Sequence, residues 1–212
     1  MFHVLYSMQQ RGFTLIELLT VVFIIGVLAV IVVMGFPEMK ENLALKRAAH
    51  QLSQNLRRTQ EMAMSSLSLQ ESENCSSPFP AAKGYGIYID LLGLGNKNYK
   101  LYADTAGDTN ISDCPTYEEN QEPCFGYFTA ADCVVKTIAI EEKGVVLKEI
   151  KNTIYPSNQA KISVNFKPPN PDVTIKWMQS DKNEVEIVLA LENKPEKTKS
   201  VLVNQAGMIA IK

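Results

Sequence analysis

Histidine is almost missing from this 212-residue chain, which has only His3 and His50. With so few imidazoles, and no C-x-x-C spacing among the four cysteines, a zinc site is not expected. No Ser/His/Asp grouping, phosphate-binding glycine loop or nucleotide motif is present, so the residues give no reason to expect an enzyme. A charge imbalance is lacking too: the formal net charge is −2, which offers no general attraction for nucleic acid or an anionic surface. Charge is absent altogether from Leu18 to Phe36. No small-x-small site closes that run, and it is too long for the core of a secretory signal peptide.

What is there is a membrane-length apolar segment near the start. A helix from Phe13 to Gly35 would be ~35 Å long, enough to span a hydrocarbon core. The leader MFHVLYSMQQRG carries Arg11 and no acid, whereas Glu38, Lys40 and Glu41 beyond the segment bring no net positive charge. That asymmetry favours a cytoplasmic N-terminus and an exported remainder. All four cysteines, Cys75, Cys114, Cys124 and Cys133, follow the segment, which suits an oxidising compartment. One residue does not fit: Glu17 sits at the head of the apolar run, where a carboxylate costs a few kcal/mol in lipid.

The stretch Arg11-Gly12-Phe13-Thr14-Leu15-Ile16-Glu17 resembles the class III signal of type IV pilins and type II secretion pseudopilins. The resemblance implies cleavage between Gly12 and Phe13 by a prepilin peptidase, and N-methylation of the new terminus at Phe13. Gly12, lacking a side chain, would let a protease reach the adjacent backbone. Glu17 would neutralise the Phe13 amine of a neighbouring subunit, because a misregistered subunit leaves a charge unpaired in an apolar core. The fold implied is α+β, a pilin-like arrangement of one long N-terminal helix on an antiparallel β-rich head. Its divisions are a leader at 1–12, a membrane and filament-core half at 13–36, an amphipathic half at 37–69 and an exported head at 70–212. The implied partners are other pilin or pseudopilin subunits, the prepilin peptidase and an inner-membrane assembly platform. The implied place is the bacterial inner membrane, crossed once, with the head extracytoplasmic.

The residues beyond Pro37 carry their own pattern. Leu45, Ala49, Leu52, Leu56 and Ala63 recur at near-helical spacing, with Lys46, Arg47, Gln54 and Arg57 mostly elsewhere, so an amphipathic helix should lay its stripe on a sheet. From Lys83 onward, alternation and β-branched residues predict strands at 84–90, 98–103, 134–140, 144–150, 161–166, 172–178, 184–191, 199–204 and 207–211. The segments ISVNFKPP, EVEIVLAL and VLVNQAGMIAIK, with RRTQEMAMSS at 57–66, resemble the H-type minor pseudopilin and FimT-like minor pilin subfamily.

Several residues are weighed as further sites. Two disulfides are expected to staple an irregular insertion at about 104–133, with all three pairings open. Asp104, Asp108, Asn110 and Asp113 could ligate calcium, but no bidentate glutamate follows at the right offset, so a solvated turn is the preferred reading and no cofactor is expected. The basic residues Lys46, Arg47, Arg57 and Arg58 could meet DNA phosphates in a DNA-uptake or adhesive pilin; solvation of one helix face is preferred. Trp177, Tyr85 and Tyr88 read as sheet packing. Outside the family, the alternative is a membrane-anchored binding protein that never polymerises.

Overall fold

The computed structural model describes residues 12–65, 68–70, 72–75, 81–105, 128, 132–151, 160–168, 172–177, 180–181 and 183–212, with no side-chain description at 32–35, 37, 172, 177, 180 and 181. The described chain divides into two compact units, one ending at Glu41 and the other running from Asn42 to Lys212. Helix α1, Leu15–Met64, contributes to both. Its helical assignment is unbroken at Pro37, the position where a missing amide donor could have started a new segment.

In the first unit, every described side chain from Gly12 to Ile31 is exposed, including Phe13 at 83% and Leu15 at 81%. Among the described residues no helix is long and apolar enough to cross a membrane.

In the second unit the same helix behaves differently. Leu45, Ala48, Ala49, Leu52, Leu56 and Ala63 are buried in the core, three and four residues apart along one stripe. Polar residues flanking the stripe bind strands on either side. Gln51 Nε2 donates to Ala139 O and Asn55 Nδ2 to the Tyr99 hydroxyl, at 3.3 and 2.6 Å. Arg57 and Gln60 donate to Ile209 O and Gly207 O. The helix stops at Met64, five residues before the expected Leu69. There the Ser65 hydroxyl donates to Glu61 O and Met62 O, offering the last carbonyls a side-chain partner in place of continued helix.

Among the described residues ten strands follow: β1 Gly84–Asp90, β2 Asn98–Asp104, β3 Cys133–Ala139, β4 Val145–Lys151, β5 Lys161–Lys167, β6 Asp172–Trp177, β7 Ser180–Asp181, β8 Glu184–Leu191, β9 Lys194–Asn204 and β10 Ile209–Ile211. They form two sheets, ordered β3-β2-β1-β5-β6-β7 and β10-β9-β8-β4. Every pairing is antiparallel. The β1–β2 turn joins the sheets: Asn96 O accepts Leu147 N of β4 at 2.7 Å, and Lys97 pairs with Glu192 after β8 at 2.7 Å.

Alternation decides what each strand buries. Tyr85, Ile87 and Ile89 of β1, with Ile162, Val164 and Phe166 of β5, enter the core shared with the helix. On the opposite face of β1, Gly86 lies opposite Tyr102, and a Cβ at Gly86 would come within 2.5 Å of the Tyr102 ring. That ring is fully buried beside Phe128, with centroids 5.1 Å apart. The Phe128 N–H donates to Ser163 Oγ at 2.9 Å. Phe128 therefore packs on the face of the larger sheet that carries Tyr88 and Tyr102.

Candidate functional site

The candidate site is the start of α1. Gly12 has nothing within 4 Å of where a Cβ would stand. Phe13 lies ahead of the helix and is exposed. Thr14 then begins the helix: its carbonyl accepts Glu17 N and Leu18 N at 3.1 and 3.2 Å, and its Oγ1 accepts Glu17 N at 3.3 Å. Thr14 is thus the N-cap and Glu17 the third helical residue, the spacing of a capping box. An acid in a first turn also meets the positive end of the helix dipole. Sequence reasoning passed over Thr14, although T-x-x-E before an apolar run was available as a signal. Glu17 therefore has a local reason to be where it is, beside any role toward another chain.

Thr20 returns its hydroxyl to Glu17 O at 2.9 Å. The apolar side chains that follow are exposed around the whole circumference, from Leu18 at 63% to Ile31 at 63%. A helix apolar on all sides is stable only when something else covers it, lipid or protein.

The other candidates lie elsewhere. Cys75 is bonded to Cys133, across 58 residues, with Cα atoms 5.6 Å apart; Cys114 and Cys124 fall outside the described residues. Of the calcium candidates, Asp104 is buried at the end of β2, where its Oδ2 accepts Asn165 Nδ2 at 2.9 Å. Asp108, Asn110 and Asp113 fall outside the described residues. Among the described residues no three His, Cys, Asp or Glu side chains are grouped to hold a metal ion. Two of the basic helix residues are engaged within the head, Arg47 with Glu142 at 3.9 Å and Arg57 with Ile209 O. Tyr85 and Tyr88 pack in the larger sheet, as expected.

Comparison with known proteins adds to this geometry. Residues 7–33 match the prokaryotic N-terminal methylation motif. The match covers Gly12, Phe13, the capped turn and the exposed apolar stretch, and it supports the type IV pilin family for this chain. No curated protein matches the chain. Among solved structures, the type IV minor pilin FimU of Pseudomonas aeruginosa is similar at a TM-score of 0.41, with 12% identity over 82% of this chain and 92% of that one.

Proposed function

We propose that this chain is the precursor of a minor pilin or pseudopilin, a structural subunit of a filament-like machine, processed at Gly12–Phe13 and methylated at Phe13. The observation that carries the reading is the N-terminal methylation motif at 7–33, with Phe13 exposed and free space at the Cβ position of Gly12. Cleavage there would create an amine four residues ahead of Glu17, at the mouth of an uncovered apolar helix. In the membrane, lipid would cover that helix; in a filament, the same segments of neighbouring subunits would. The Asn42–Lys212 head would be exported, which agrees with its disulfide. Its partners would be other subunits, the prepilin peptidase and an inner-membrane assembly platform.

Intact mass and N-terminal sequencing of the protein recovered from membranes test the proposal. A chain beginning at Phe13 with one added methyl group is the expected result. A chain that keeps its leader in cells with an active prepilin peptidase would overturn it, leaving an anchored domain that does not polymerise.

A further inference from the structure

Between α1 and β1, Ser72–Cys75 lies along the side of β3 that faces away from β2. At a sheet edge, outward-turned main-chain groups are a template for a foreign strand. Here Ser72–Cys75 takes them up. Glu73 N donates to Val134 O at 2.7 Å and Ser72 Oγ donates to the same oxygen at 2.9 Å. Val134 N donates to Asn74 Oδ1 at 2.7 Å. Farther along, the Glu73 carboxylate accepts Thr137 N and the Thr137 hydroxyl at 2.7 and 2.8 Å. Two side chains thus supply the oxygens that a neighbouring strand's carbonyls would supply.

The strap is also fastened at its end. Asn74 Nδ2 donates to Asp132 O at 2.9 Å, and Cys75 is bonded to Cys133, the first residue of β3. The covalent bond matters because strap and strand are far apart in sequence, so closing the loop without it costs chain entropy. The strand itself is irregular in register between Leu101 and Tyr102 of its partner and carries exposed Lys136, two further devices that discourage edge pairing.

We propose that Ser72–Cys75 is an edge guard. It occupies in cis a strand-addition surface on β3 that would otherwise pair with the same edge of a second copy, and the Cys75–Cys133 bond is its latch. The second copy is the occupant because β3 is an edge of the sheet and can meet its own kind antiparallel about a two-fold axis, an arrangement that uses both β3 edges and stops at two chains.

The test uses the full chain in detergent micelles, with hydrogen exchange read at individual amides and mass read by light scattering. In Glu73→Ala/Asn74→Ala, which keeps the disulfide, the Val134 and Thr137 amides should exchange ~10-fold faster when dilute. Raising the protein concentration should re-protect them and produce a two-chain species, while the β8 and β9 amides stay as in the parent. Adding Thr137→Pro, which removes an outward N–H at an edge, should abolish that species. Exchange that does not accelerate, acceleration without pairing, or pairing indifferent to the proline would each overturn the guard. Cys75→Ser/Cys133→Ser should also pair with Glu73 and Asn74 intact, and continued edge protection there would overturn the latch.

Discussion

The two ends of α1 are built from similar residues and put them to opposite use. From Leu15 to Ile31 the apolar side chains encircle the helix and all are exposed. From Leu45 to Ala63 they are confined to one stripe, and that stripe is buried to within 2% of complete. Burial in the second stretch is paid back inside the chain, through contact with two sheets. The first stretch has no such return within its own unit. Hydrophobic residues that stabilise nothing in their own fold are kept for another phase or another molecule. The helix therefore joins a self-sufficient head to a segment whose energetics depend on what surrounds it.

The sharpest way to break this comparison is to truncate one leucine at each end. Leu56→Ala should destabilise the head by about 3 kcal/mol, through lost transfer energy and a cavity. Leu19→Ala, at a site 57% exposed, should change head stability by less than about 0.5 kcal/mol. Denaturant unfolding of the two variants in detergent measures both. Equal losses would mean that the first stretch supports the head after all.

A similar contrast sits within the head. Gly86→Ala places a methyl against the Tyr102 ring and should cost about 2 kcal/mol, as overpacking does. Gly12→Ala meets nothing within 4 Å and should leave stability unchanged, acting only on leader removal. Thermal unfolding and an immunoblot for the cleaved form separate those effects.

Alkaline titration extends the contrast to ionisation. Burial pushes the Tyr99 hydroxyl up to about 12, despite the hydrogen bond from Asn55, and raises Tyr85 and Tyr102 as well. A raised pKa means that the folded state holds the proton more tightly. The stability this gives is complete below pH 10, the unfolded value, and is lost as pH climbs toward 12. From Tyr99 alone that is roughly a hundredfold in the folding equilibrium. Tyrosinate absorbance should rise late and together with loss of tertiary circular dichroism. Asp90 works at the acid end. Burial raises its pKa, but the amides of Gly93 and Leu92 and the Lys161 ammonium outweigh this and hold it below the ordinary carboxylate value. Its contribution is therefore lost as pH falls through that depressed value.

Much of this was legible in the residues because alternation and burial are the same fact in a two-faced sheet. GYGIYID, KISVNF and EVEIVLAL lie on β1, β5 and β8 with at most one residue's difference at an end. What stayed hidden depends on residues far apart in the chain. The division into two sheets turns on β4 pairing with β8 across 32 intervening residues, which no local pattern encodes. Ser72–Cys75 has no strand pattern, because it meets β3 largely through side chains. The two-residue β7 is too short to alternate. Thr14 was a different kind of omission, a local signal overshadowed by the more conspicuous glutamate beside it.

That omission sets up the smallest expected change in folding and the most discriminating one. Glu17 can serve α1 as the third residue of a capped turn, or serve a neighbour by neutralising the Phe13 amine. The two roles ask different things of the side chain. Capping needs an oxygen that can reach back to the N-cap amide, which glutamine also supplies. Neutralising an amine in an apolar core needs the negative charge, and glutamine lacks it. Glu17→Gln should therefore leave the helicity of the first turn within a few tenths of a kcal/mol of the parent, while assembly into filaments fails. Thr14→Ala should do the reverse, costing about 1 kcal/mol of helix start and leaving the charge pair intact. Amide exchange at Leu15–Glu17 reads the first effect, and the yield of sheared filaments reads the second. If Glu17→Gln assembles normally and Thr14→Ala does not, the carboxylate is there for its own helix, and register between subunits must be set by other residues.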